Sequence, residues 1–147
     1  MTDKTERTFA ELLDYLFREV HPKGRGPYTY AEVSQGIRAT SGVAISASAI
    51  QQLRTGTNTN PKMQTIRALA GFFGVSPGYF FDEEEAERQR AEIQVVAAMR
   101  DQDVRRVALR ASGLSASSLS MLNTVIDQAR RLEGIPESDN SDLLDDE

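Results

Sequence analysis

The chain has 147 residues, 39% hydrophobic content and a formal net charge of -5, which is ordinary for one soluble globular domain or two small ones. It has no cysteine, which excludes a disulfide framework, a thiolate metal site and a cysteine nucleophile. No apolar run approaches the ~20 residues of a membrane span, and the start Met1-Thr-Asp-Lys-Thr-Glu-Arg7 is too polar for a secretion signal, so a cytoplasmic location with no membrane partner is expected.

The first predicted element is an amphipathic helix over Thr8 to Val20, with Phe9, Leu12, Leu13, Leu16, Phe17 and Val20 on its core face. The only histidine, His21, stands at its end before Pro22, where it reads as a partner of the helix dipole rather than as a catalytic base. Lys23-Gly-Arg-Gly-Pro27 is a basic loop without the strand and Gly-Lys-Ser ending of a nucleotide phosphate loop, and Lys23 and Arg25 are candidate contacts to a nucleic-acid backbone. Thr29 caps a second helix over residues 29–39 with Ala31, Val33 and Ile37 as its apolar positions, and a long connection, Ala39-Thr-Ser-Gly-Val-Ala44, follows.

The third helix, Ser46 to Gly56, carries the functional signal. Ser46 caps it and Gly56 ends it. Ala49, Ile50 and Leu53 form a narrow apolar stripe, while Ala47, Ser48, Gln51, Gln52 and Arg54 fill the rest of the circumference without one acid. Amides and small residues of this kind read base edges in a major groove, where glutamine pairs bidentately with adenine and arginine with guanine. A surface helix without that role usually carries Glu and Lys in paired spacings.

Asn60 is expected to cap a fourth helix that has Pro61 at its first position and Met63, Ile66, Leu69, Ala70 and Phe73 on one side. Ser76 and Pro77 open a short fifth helix ending near Phe81. Beyond it, helices are expected from Asp82 through Arg100, from Asp103 to Ala111, and from Ser115 to Glu133. The predicted organisation is a domain over residues 8–81, a helical region over 82–134 and a disordered acidic tail over 135–147, where Leu143-Leu144 is the one apolar pair.

Charge divides along the chain. Residues 1–80 hold nine Lys/Arg against six Asp/Glu, a net of +3, whereas residues 81–147 hold eight against sixteen, a net of -8. Between Ala39 and Phe81 the only charged residues are Arg54, Lys62 and Arg67. A surface cleared of carboxylates suits a duplex that carries a negative charge every ~1.7 Å.

The run from Ala31-Glu-Val33 through Ile50-Gln-Gln-Leu-Arg-Thr-Gly56, Asn60-Pro61 and Ile66-Arg-Ala-Leu-Ala-Gly-Phe-Phe-Gly-Val-Ser-Pro-Gly-Tyr-Phe80 resembles the Cro/C1 (Xre) helix-turn-helix family. More narrowly, Arg25-Gly-Pro27, Gln52-Leu-Arg54, Thr59-Asn-Pro61, Met99-Arg-Asp101, Val104-Arg-Arg106 and Arg131-Leu-Glu-Gly-Ile135 resemble the EspR-like actinobacterial regulators, a similarity that runs from about Phe9 to Ile135. The resemblance implies an all-α protein, with a five-helix DNA-binding domain followed by a small helical dimerisation domain. It places Ala47, Ser48, Gln51 and Gln52 at the bases, and Tyr30, Ser46, Thr55, Asn58, Asn60 and Lys62 at the phosphates, where contacts set register without carrying sequence information.

Such repressors bind as two-fold dimers on half-sites about 34 Å apart. Three C-terminal helices bury too little to stand alone, and Val96, Val104, Val107, Leu119, Leu122 and Ile126 are the expected dimer or core positions. The function expected is that of a cytoplasmic, nucleoid-located transcriptional regulator on double-stranded DNA, without cofactor, metal or enzymatic activity. EspR-like proteins further imply bridging of distant sites. The alternative is an adaptor with weak or no DNA binding that recruits a protein partner through its C-terminal region.

Overall fold

A computed structural model describes residues 7–136. Seven α-helices and one 3-10 helix account for its regular structure, and there is no strand among the described residues. The helices are α1 (Phe9–Glu19), α2 (Tyr30–Ser41), α3 (Ala47–Thr55), α4 (Met63–Phe73), α5 (Glu83–Ala98), α6 (Gln102–Ala111) and α7 (Ala116–Leu132), with the 3-10 helix at Pro77–Phe80. The chain divides into two compact units, with the break after Ala97.

The core of the first unit is the set of residues that helical periodicity places inward. Leu13, Leu16 and Phe17 of α1, Val33 and Ile37 of α2, Ile50 and Leu53 of α3 and Leu69, Ala70 and Phe73 of α4 are all buried. Each fully buried aliphatic or aromatic side chain contributes roughly 1.5–3 kcal/mol relative to an exposed one. Phe9 stacks on Phe80 at 4.5 Å between ring centroids, and Phe17 meets Phe73 edge-on at 5.1 Å. Tyr79 is wholly buried, and its hydroxyl donates to the Leu12 carbonyl at 2.6 Å, which ties the 3-10 helix to α1. Burial pushes its hydroxyl well above the usual tyrosine range.

Helix ends follow local chemistry at α1 and α2. Thr8 Oγ1 accepts from the Glu11 amide at 3.1 Å while Glu11 Oε1 accepts from the Thr8 amide at 2.9 Å, and Thr29 and Glu32 repeat the same reciprocal pair at 3.1 and 2.8 Å.

Several expectations are corrected. Half of the expected long connection over residues 39–44 is helix: α2 runs on through Ser41 and stops at Gly42, with φ 75°, and the Thr40 and Ser41 hydroxyls donate back to the Gly36 and Ile37 carbonyls at 2.9 and 2.8 Å. Ser34 Oγ donates to the Ile45 carbonyl at 2.6 Å and seals the short remaining turn. Ala31, expected on the apolar side of α2, is exposed. Asn60 does not cap α4: Lys62 occupies the cap position with no side-chain bond, and Pro61 precedes the helix. Ser76 does not cap the 3-10 helix, because its Oγ donates to Glu85 Oε2 at 2.7 Å and its amide to Gln89 Oε1 at 3.0 Å. His21 lies past the end of α1, which Val20 closes, and its Nδ1 sits 3.2 Å from the Pro22 carbonyl oxygen.

The boundary expected after residue 81 falls instead after residue 97, since α5 belongs to the first unit. Ala86 and Ala91 of α5 are buried, the Tyr15 hydroxyl donates to the Arg90 carbonyl at 3.2 Å, and Arg7 pairs with Glu83. In the second unit Asp101 caps α6 and Ser115 caps α7, and neither helix buries a side chain. The expected tail lies outside the described residues from position 137 onward, including Leu143-Leu144.

Candidate nucleic-acid interface

Helix α3 is held on one side and open on the other. Ile50 and Leu53 fasten it to the core, Ala49 is half-buried, and Ser46 Oγ accepts from the Ala49 amide at 3.0 Å. On the open side Ser48, Gln51 and Gln52 are exposed, and Ala47 at the first turn is half-buried. Each glutamine presents a carboxamide oxygen and two N–H donors, the pattern that pairs with the N7 and N6 edge of adenine.

The segment after α3 is a polar loop. Thr55 Oγ1 lies 3.4 Å from the Gln52 carbonyl and 3.2 Å from Thr57 Oγ1, and Asn58 Oδ1 accepts from the Asn60 amide at 3.0 Å. Thr55, Asn58, Asn60 and Lys62 are all exposed, as is Ser46 at the other end of α3. From residue 40 to residue 80 no carboxylate interrupts this surface.

Two of the expected contact residues also make contacts within the protein. Arg54 was expected on the outward circumference with the glutamines, but its Nε donates to Asp14 Oδ1 of α1 at 2.9 Å and its guanidinium lies 4.6 Å from the centre of the Phe17 ring. A long 3.4 Å contact joins its Nη1 to the Tyr30 hydroxyl. Tyr30 is half-buried and meets Phe17 edge-on at 5.3 Å, so its ring serves the core while its hydroxyl touches the Arg54 fork. Asp14 is held below the usual carboxylate range: burial opposes its charge, but hydrogen bonds from Arg18 and Arg54 outweigh that.

Arg25 is likewise committed. It clasps Glu32 through Nη1 and Nη2 at 2.8 and 2.7 Å, donates to the carbonyls of Gly26 and Pro27 at 3.1 Å each, and lies over the Tyr28 ring at 5.1 Å. The Arg25 bonds, aided by the Thr29 amide, pull the Glu32 carboxyl down to about 2. Among the described residues of this unit, Lys23, Arg38, Lys62 and Arg67 are exposed cations outside the ion pairs of Arg7, Arg18, Arg25, Arg54 and Arg88. Sequence reasoning missed Asp14 and Phe17 as anchors of α3, because nothing local marks a partner forty residues away.

No family model matches the chain. The nucleoid-associated protein EspR of Mycobacterium tuberculosis strain CDC 1551 / Oshkosh is 45% identical over 128 residues, covering 87% of this chain and 96% of the relative, and EspR of strain ATCC 25618 / H37Rv matches to the same extent. The chain belongs to the EspR family.

For an EspR-family chain the match is close to full length, so it takes in both units and not the α3 region alone. The wider resemblance to the Cro/C1 (Xre) family rests on the motif residues alone. The expected dimer positions lie on both sides of the unit boundary: Val96 in the first unit is 63% exposed, and Val104, Val107, Leu119 and Ile126 in the second are exposed, with Leu122 half-buried. Among the described residues no helix is long and apolar enough to cross a membrane.

Proposed function

We infer that this EspR-family protein is a double-stranded-DNA-binding transcriptional regulator located on the nucleoid in the cytoplasm. Helices α2 and α3 act as a helix-turn-helix of the Cro/C1 (Xre) kind, with α3 in the major groove. Ser48, Gln51 and Gln52 face the bases, Ala47 allows close approach or touches a thymine methyl, and Ser46, Thr55, Asn58, Asn60 and Lys62 meet phosphates. The single observation that carries this reading is the exposed, acid-free face of α3 and its following loop, anchored from behind by Ile50 and Leu53. The name of the relatives supports the nucleoid setting.

Helices α6 and α7 have no buried side chain and leave Val104, Val107, Leu119 and Ile126 exposed, which supports a second copy as the cover for those faces. The proposed molecule is therefore a homodimer, and a dimer with two reading heads can join separate DNA segments. It works by occupancy and bridging, without a cofactor and without chemistry.

The alternative of a protein-recruiting adaptor draws on one observation: Arg54 and Arg25 are both spent on carboxylates, which leaves few free cations. Binding to a random duplex pool at two salt concentrations, followed by sequencing of the retained fraction, separates the readings. An enriched inverted repeat supports the sequence-reading dimer, retention without a motif supports a loosely specific nucleoid binder, and no retention at low salt leaves the adaptor.

A further inference from the structure

We propose that Arg54 is a positioning residue for DNA reading: clamped by Asp14 and seated on Phe17, it sets the angle at which α3 enters the groove and delivers no charge to the DNA. This rests on the DNA-binding reading above and deepens it.

Helix α3 has nine residues and so is about 13 Å long. Its two buried anchors, Ile50 and Leu53, are three residues apart on one stripe. With the half-buried Ala49 they hold one face of α3 against α1 and α2. Arg54 adds the polar tie at the last turn. It follows Leu53 in the last turn and reaches sideways to α1, where Asp14 Oδ1 accepts from its Nε. The second carboxylate oxygen, Oδ2, accepts from Arg18 Nε at 2.9 Å, so Asp14 cannot swing away without breaking a bond to its own helix. The fully buried Phe17 ring lies 4.6 Å under the guanidinium and Tyr30, at the start of α2, touches its edge, so one side chain of α3 registers against α1 and α2 together. The side chain is only 24% exposed.

The bond through Nε and the ring beneath it hold the Arg54 guanidinium against α1. The sequence discrimination of neutral side chains such as Gln51 and Gln52 depends on bidentate geometry. Such geometry tolerates errors of only about 0.5 Å and 10–20°, so a loosened α3 loses selectivity before it loses attraction.

The test uses the full chain, a duplex selected from the random pool and a scrambled duplex of the same composition, titrated with salt. The variants are Arg54→Met, Asp14→Asn, and Ile66→Val in α4 as a control that weakens the core without touching α3 or the clamp. The expected result is a loss of about tenfold in the selected-to-scrambled affinity ratio for Arg54→Met and Asp14→Asn, with the salt slope of Arg54→Met unchanged. Ile66→Val lowers the melting temperature and keeps the ratio, which separates positioning from general destabilisation. The inference is overturned if Arg54→Met weakens both duplexes equally and lowers the salt slope by the ~0.9 of one phosphate contact, or if neither clamp variant changes the ratio. A wild-type chain that binds both duplexes equally retains the DNA reading and overturns this inference; one that binds neither at low salt overturns both.

Discussion

At the scale of single residues the interface separates side chains that read from side chains that hold. Gln52 is exposed on α3 and has the donors and acceptor of a base reader, so Gln52→Ala is expected to cost ~1–3 kcal/mol of discrimination at the base pair it faces while the salt slope stays unchanged. Lys62→Ala is expected to act in the opposite way, weakening binding evenly across sequences and lowering the slope by about 0.9, as salt-dependent titrations on two unrelated duplexes will show. Glu32 adds a pH dependence. Its folded value lies near 2 against an ordinary 4.5, so its contribution to stability is fully present above about pH 4.5 and is lost as pH falls toward 2. Thermal melts across that window should converge for wild type and Glu32→Gln at the acid end and separate at the neutral end.

At the scale of elements the geometry depends on close approach and on where helices stop. A Cβ on Gly36 would collide with the Phe72 ring, which is itself wedged edge-on against Tyr28 and Phe73 at 5.2 and 5.1 Å. Gly36→Ala is therefore expected to push α2 from α4 and to destabilise the first unit by about 1–3 kcal/mol, the usual cost of overpacking, measurable by urea unfolding. Gly42 closes α2 at φ 75°, a left-handed conformation that costs an L-residue about 1–2 kcal/mol, and it alone separates the helical Ser41 from the four-residue path to α3. The extension of α2 through Thr40 and Ser41 shortens the turn that the sequence had left long. The Thr40 and Ser41 hydroxyls are satisfied by the carbonyls four residues earlier, within a helix that ends only at Gly42.

At the scale of the whole molecule the two units differ in how completely they satisfy themselves. The first encloses a core of α1 to α4, the 3-10 helix and Ala86 of α5. The second presents Leu109, Met121, Val125 and Leu132 to solvent in addition to Val104, Val107, Leu119 and Ile126. A dimer through these helices predicts that Val107→Asp with Ile126→Asp yields a monomer by sedimentation at concentrations where the wild type is dimeric. DNA affinity should then fall toward that of one head, with the base preference kept. Wild-type protein sedimenting as a monomer at tens of micromolar would refute the dimer.

The amino-acid sequence by itself determined the helices, the core and the open face of α3. Periodic apolar residues such as Leu13, Leu16, Ile50 and Leu53 have one face to bury, and caps such as Thr8, Thr29, Ser46 and Gly56 act on neighbours within a few residues. The EspR-like resemblance was legible for the same reason, since its motifs are runs of adjacent residues. Only the tertiary structure decided what depends on partners distant in the chain. Ser76 is taken by Glu85 and Gln89 before it can cap, α5 joins the first unit because Ala86 and Ala91 are small enough to be buried there, and Arg54 turns inward because Asp14 and Phe17 wait on another helix. A charge on a helix surface has no preferred side until a carboxylate and a ring are brought beside it, and that proximity is created by packing rather than by spacing.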